Sequence, residues 1–179
     1  LEEMEYLSPN GLTLKGEFAA SMFGYELLLS EMHEKNVLEE LNEAKLNILI
    51  ASLIFEPRKN DQPPRLNSET EKLRKTVEHF AHAIHRKEFK LRITPYTKFP
   101  HFHLSAAVEA WTRGEKFEKV LELTTTDEGE LVRYFRMIIQ LLRELRNAPH
   151  ASDALRARAA RARELIDRDV VDAEKQLRV

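Results

Sequence analysis

Between Glu128 and Asn147 the apolar residues Leu131, Val132, Phe135, Ile138, Ile139, Leu142 and Leu145 return every three or four positions. Arg133, Arg136, Gln140 and Arg143 fall at i, i+3, i+7 and i+10 on the opposite side. This spacing predicts a long helix, running to about Asn147 before Pro149, with one wholly apolar face. Such a face is stable only when other elements cover it. The rest of the chain supplies them, because its periodicity is helical almost throughout. Only five glycines among 179 residues leave little material for hairpins or phosphate-cradling loops.

Ser8-Pro9-Asn10-Gly11 reads as a turn, and Leu12-Thr13-Leu14 as a short extended piece before a helix that starts near Lys15 and ends by Gly24. A second helix, from Tyr25 to about Lys35, carries Leu27, Leu28 and Met32. Asn42 caps a strongly apolar helix with Leu46, Leu49, Ile50, Leu53 and Ile54, stopped by Pro57. Residues 57–67 are a loop. Ser68-Glu69-Thr70-Glu71 reads as a capping box opening a helix to about Arg86, with Leu73, Val77, Phe80 and Ile84 buried. Residues 87–103 have no clear period and read as an extended connection. Short helices follow over Ser105–Thr112 and Glu115–Leu123. Either Thr125 with Glu128 or Asp127 with Glu130 supplies a capping box for the long helix, and Ser152-Asp153 opens a last helix reaching the C-terminus. The expected fold class is all-α: a single multi-helix bundle over residues 1–179, with a short extended segment near the N-terminus and internal loops at 57–67 and 87–103.

The 28 Lys plus Arg nearly balance the 30 Asp plus Glu, but the distribution is uneven. Residues 1–57 carry 3 basic and 11 acidic side chains, and residues 58–100 carry 11 basic and 5 acidic. Local fields rather than net charge decide what a surface attracts. The absence of cysteine excludes disulfides, thiolate zinc sites and cysteine nucleophiles. No apolar run approaches 18 residues, so no membrane partner is expected and a cytoplasmic setting is the default. The chain begins with Leu, which reads as a cut from something longer.

Gly11 to Gly16 has the glycine spacing of a P-loop, but Glu17-Phe18 stand where Lys and Ser or Thr are required, and an acid there repels phosphate. No catalytic residue and no cofactor are expected in this chain. His79, His82 and His85, followed by His101 and His103, offer enough imidazole to consider a metal, yet their spacing fits a solvated or hydrogen-bonded face better. Arg86, Lys87, Lys90, Arg92 and Lys98 alternate with Phe89, Tyr96, Phe99 and Phe102. Cations interleaved with rings suit single-stranded nucleic acid. The favoured reading is plainer: the rings anchor a loop and the cations snorkel outward. Trp111 reads as a core anchor. The Arg133, Arg136, Gln140, Arg143 rail can grip a strand, since guanidiniums bind phosphate or stack on bases and Gln bonds a base edge, although spacing alone favours a solvated face.

Several blocks together resemble one family. These are Leu12-Thr13-Leu14-Lys15-Gly16-Glu17 with Glu26-Leu27-Leu28-Leu29-Ser30-Glu31, Ala51-Ser52-Leu53-Ile54-Phe55-Glu56, Trp111-Thr112-Arg113-Gly114 with Phe117, Asp127-Glu128-Gly129-Glu130-Leu131-Val132-Arg133, and Ile166-Asp167-Arg168-Asp169-Val170-Val171. In this order they resemble the C-terminal helical (DSHCT) domain of superkiller-type, antiviral-helicase-like superfamily II DExH-box helicases. The resemblance implies an accessory bundle that packs on the ATPase lobes of the same parent chain and completes a nucleic-acid channel. Its long helix acts as a ratchet beneath single-stranded RNA or DNA. ATP and Mg would belong to the parent's motor domains, and an RNA-processing or decay complex is among the implied partners. The resemblance places Arg133 and Arg136 where relatives also have Arg, and Met137 and Gln140 where exosome-associated relatives have Arg and Glu. The nucleic-acid-binding set it implies is Arg133, Arg136, Met137, Gln140 and Arg143. Glu128 and Glu130 would cap the helix, and Arg168 and Asp169 would serve structure from the last helix. The rival readings are a winged-helix DNA-binding regulator, opposed by the acidic residues 1–57, and a helical protein-interaction scaffold.

Overall fold

The computed structural model describes residues 2–176. After a 3-10 turn at Glu2–Met4, two-residue strands β1 (Leu7–Ser8) and β2 (Gly11–Leu12) pair antiparallel, with Leu7 opposite Leu12. The helices follow in order: α1 Leu14–Ser21, α2 Glu26–Glu34, a 3-10 turn Leu38–Glu40, α3 Glu43–Ile54, α4 Ser68–Leu91, α5 Ser105–Thr112, α6 Phe117–Leu121, α7 Glu128–Asn147, α8 Asp153–Ile166 and α9 Ala173–Gln176. The fold is mainly α, as the periodicity predicts.

α3 is the hub. Every residue from Leu46 to Ile54 is buried, the pattern of a helix surrounded on all sides, and it packs against α4, α5, α7 and α8. One polar residue in that run, Asn47, has partners on two neighbouring helices: its Nδ2 donates to Thr112 Oγ1 on α5 (3.1 Å) and to the Ala162 carbonyl on α8 (3.2 Å). These bonds tie the rotation of α3 to α5 and α8, because turning α3 away would leave a buried amide donor unpaired.

α7 and α8 make the most extensive helix pair. Their turn is closed by Arg156, which donates to the carbonyls of Arg146 (2.7 Å), Ala148 (2.6 Å) and Ala151 (3.1 Å), satisfying carbonyls that the end of α7 leaves free. Trp111 is fully buried and donates through Nε1 to the Ile166 carbonyl at 2.9 Å. Arg168 lies over its ring, 3.3 Å from the centroid, and donates to the carbonyls of Trp111 and Glu115, both at 2.8 Å. Arg168 and Asp169 therefore do serve the fold as expected, but from a turn: α8 ends at Ile166 and does not run to the C-terminus.

The N-terminal segment has its own small core of Met4, Tyr6 and Ala19. Lys15 and Glu31 form a nearly buried ion pair (2.6 Å) beneath the Tyr6 ring. Tyr6 donates to Glu31 at 2.9 Å, and Lys15 also donates to the Met4 carbonyl at 3.0 Å. Gly16 sits so close to this segment that a Cβ would lie 2.1 Å from the Tyr6 carbonyl oxygen.

Two helix starts differ from expectation. Asn67, rather than Ser68, caps α4, accepting from the Thr70 amide at 2.8 Å. Asp127 is the N-cap of α7 but makes no side-chain cap bond, so neither proposed capping box forms. α4 also continues to Leu91, five residues into the stretch expected to be extended. The reason is Glu88, which is buried at the next core-facing position after Leu73, Val77, Ala81 and Ile84 and hides the period from a purely apolar count.

Candidate nucleic-acid interface

α7 presents the rail as its spacing requires, with Leu131, Phe135, Ile138, Ile139, Leu142 and Leu145 buried on the opposite side. Arg133, Gln140 and Arg143 are exposed, while Arg136 and Met137 are half-buried. From Arg133 to Arg143 the rail spans about 15 Å along the helix axis.

The rail divides into parts with different neighbours. At its N-terminal end Arg133 lies over the Tyr134 ring (4.8 Å to the centroid), approaches the Met137 sulfur at 3.5 Å and pairs loosely with Glu130 at 3.5 Å. Glu130 is held more tightly by Arg58 (2.7 Å), which also reaches Asp127 at 3.7 Å. Asp127 and Glu130, two of the acids expected at the start of α7, thus tie its first turn to the 57–67 loop. Their charge still complements the positive end of the helix. Farther along, Arg136 Nε donates to the Val171 carbonyl at 3.1 Å. Gln140 Nε2 donates to Glu144 at 3.3 Å. A cavity of about 300 Å³ opens between Arg136, Gln140 and Arg143 on one side and Asp172 and Glu174 on the other. The structure brings all five residues of the expected set onto one helix, but engages Arg136 with the chain that follows α8. No sequence signal reports that contact, which joins residues 35 apart.

The other motifs resolve differently. Gly11 has a φ of +116° and turns the hairpin, and Gly16 lies against the Tyr6 carbonyl while Thr13 caps α1. Filled space at Gly16 and an acid after it do not fit a nucleotide phosphate. Among the described residues no group of three or more His, Cys, Asp or Glu is placed to hold a metal ion. His85 shares a 2.6 Å hydrogen bond with the Thr97 carbonyl, His82 lies against Phe99 (5.0 Å between ring centres), and His103 stacks on Phe55 (5.0 Å). Burial holds both His101 and His103 below the usual imidazole range. For His101 the neighbouring His103 adds to this, and for His103 Asp61 partly opposes it.

The ring-and-cation stretch splits in two. Phe102 is buried and Phe99 half-buried against the core, as anchoring requires. Phe89 and Tyr96 are not anchors, with 74% and 50% of their surfaces exposed. The turn that carries Tyr96 is pinned instead by the buried Glu88, whose carboxylate accepts from the Thr97 amide (3.0 and 3.1 Å) and hydroxyl (2.6 Å).

The sequence profile of the DSHCT (NUC185) domain family matches residues 9–174. The chain is 27% identical over 188 residues to the Antiviral helicase SKI2 of Saccharomyces cerevisiae, covering 97% of this chain and 14% of that protein. It is 27% identical over 179 residues to the Superkiller complex protein 2 of Homo sapiens (97% and 14%) and 28% identical over 173 residues to the human Exosome RNA helicase MTR4 (93% and 16%). It therefore spans about a sixth or less of the length of these relatives. No helix among the described residues is long and apolar enough to cross a membrane.

Proposed function

The chain belongs to the DSHCT domain family, and from that premise we propose that it is the C-terminal accessory domain of an ATP-dependent RNA helicase, in which α7 lines the path of a translocating single strand. The observation that carries this reading is the rail itself: exposed Arg133, Gln140 and Arg143 on one line of a helix whose other side is wholly buried. Arg133 and Arg143 take phosphates. Met137 packs on a base, and Gln140 offers its amide to a base edge. Arg136 serves chiefly to hold the segment after α8 in place, so it is a positioning residue rather than a grip.

ATP and Mg belong to motor domains of the same parent chain, and those ATPase lobes are the domain's first partner. Leu14 and Phe23, exposed at and just beyond the two ends of α1, supply apolar surface for such a contact. An RNA-processing or decay complex is the proposed setting, with the cytoplasm as its place; among the relatives, one is named as a Superkiller complex protein and one as an Exosome RNA helicase.

The isolated chain is expected to bind oligouridine weakly and with strong salt dependence. Removing two phosphate contacts by Arg133→Ala with Arg143→Ala should lower the slope of log affinity against log salt by about 1.4, from roughly 0.7 per contact. Fluorescence anisotropy across salt measures this. An unchanged slope and affinity would remove α7 from the nucleic-acid path.

A further inference from the structure

The exposed side of α4 carries a second surface that the rail does not use. Lys75, His79, His82, Arg86, Phe89 and Lys90 recur at i, i+4, i+7, i+11, i+14 and i+15, all on the side opposite the buried Leu73, Val77, Ala81, Ile84 and Glu88. All six are exposed, and the row runs roughly 22 Å along the axis. At its C-terminal end Tyr96 joins it, 5.9 Å from the ring of His85.

Three observations single out this surface. Residues 79–92 contain four cations, Arg86, Lys87, Lys90 and Arg92, and one acid, Glu88. That acid is buried and turned toward Thr97. None of the four cations, nor Lys75, forms an ion pair among the described residues, whereas Lys45, Lys72, Arg74 and Lys98 are all paired. Finally, two aromatic rings stay exposed in the middle of the cations. Unpaired cations alone describe a solvated face. Phe89 and Tyr96 add ring surface among them that the fold does not bury, since each leaves at least half of its surface in water.

We propose that this face of α4, with the Tyr96 turn, is a second binding site for single-stranded nucleic acid. Phe89 and Tyr96 stack on unpaired bases, and Arg86 and Lys90, flanked by Lys87 and Arg92, meet the phosphates. Stacking tolerates any base, so the site holds strand without reading sequence. It goes beyond the α7 assignment and does not depend on it: one surface lies on α7 and the other on α4. Glu88 acts as a positioning residue, because its bonds to Thr97 keep the Tyr96 turn beside the helix while removing its charge from the surface.

The test is binding of a uridine oligomer of about ten nucleotides to the 179-residue chain, measured across about 50 to 200 mM salt. Four proteins are compared: the parent, Phe89→Ala with Tyr96→Ala, Arg86→Gln with Lys90→Gln, and the α7 double variant. The ring variant should bind at least about thirtyfold more weakly with an unchanged salt slope, and the cation variant should lose about 1.4 from the slope. Ultraviolet crosslinking should place uridine on the peptide containing Phe89 or Tyr96, also in the α7 variant. All six replaced side chains in these variants are exposed, so folding is not at stake. Parental affinity and slope in both α4 variants would overturn the proposal and leave the α7 reading standing. So would duplex RNA of equal length binding as tightly as the single strand. Polyglutamate binding that is lost in the ring variant would assign the face to an acidic protein segment and overturn it as well.

Discussion

Trp111 and Arg168 show how one contact can secure a junction between distant parts of the chain. The guanidinium covers the indole face and at the same time satisfies two carbonyls at the end of α5 and in the turn after it. Arg168→Ala should cost about 2 kcal/mol in urea unfolding, and Arg168→Lys should recover little, because an ammonium cannot stack flat and fork to two oxygens together. Glycines supply a sharper contrast. Gly16→Ala pushes a methyl into the Tyr6 carbonyl and should destabilise by about 1–3 kcal/mol. Gly129, in the first turn of α7, has nothing within 4 Å of an added Cβ, so Gly129→Ala should stabilise by roughly 0.4–1 kcal/mol. The glycine of the acidic-Gly-acidic block is therefore not required by packing within this domain.

At the level of elements, the apolar spacing locates every long helix, and Asn42 and Ser152 cap α3 and α8 as their sequence positions predict. What the sequence conceals is contact between distant segments. A carboxylate occupies the last core-facing position of α4, so the helix looks finished at Arg86 although it continues to a left-handed stop at Arg92 (φ 55°). Two good capping residues in succession, Asn67 and Ser68, leave the start of α4 open to within one position. Glu130 matches a capping box locally and is recruited by Arg58, 72 residues away. The candidate rail is legible because it needs only helical geometry, whereas the engagement of Arg136 by Val171 is not. Glu88→Ala should leave α4 helical through Ile84 and release the Tyr96 turn. Hydrogen exchange would then show faster exchange of the Thr97 amide, with a stability loss of about 2–3 kcal/mol.

For the molecule as a whole, the acidic N-terminal third and the basic middle meet through Lys98 with Glu56 and, with the signs reversed, Lys45 with Glu69. Three half-buried imidazoles contribute to its response to acid. His33 stacks on the fully buried Phe18 at 4.0 Å, and burial holds its pKa below the usual range despite Glu39 and Glu34, with His150 lowering it further. His101 and His103 are shifted the same way. The unfolded chain, with imidazoles near pKa 6.5, binds protons that the folded chain refuses, so stability is complete above about pH 6.5 and falls as pH drops below it. Thermal melts between about pH 7 and 5 should show this, and His33→Phe should flatten part of the decline. The enclosure of α3 has a mechanical consequence. α7 is braced by α3 and α8, and α3 in turn is gripped by α4 and α5, with Asn47 locking its rotation. Beneath α7 the buried Leu131, Phe135, Ile138, Leu142 and Leu145 belong to the same apolar core as α3 and α8. A load on the exposed side of α7 therefore passes through α3 and α8 to the helices packed around them, rather than being carried by α7 alone.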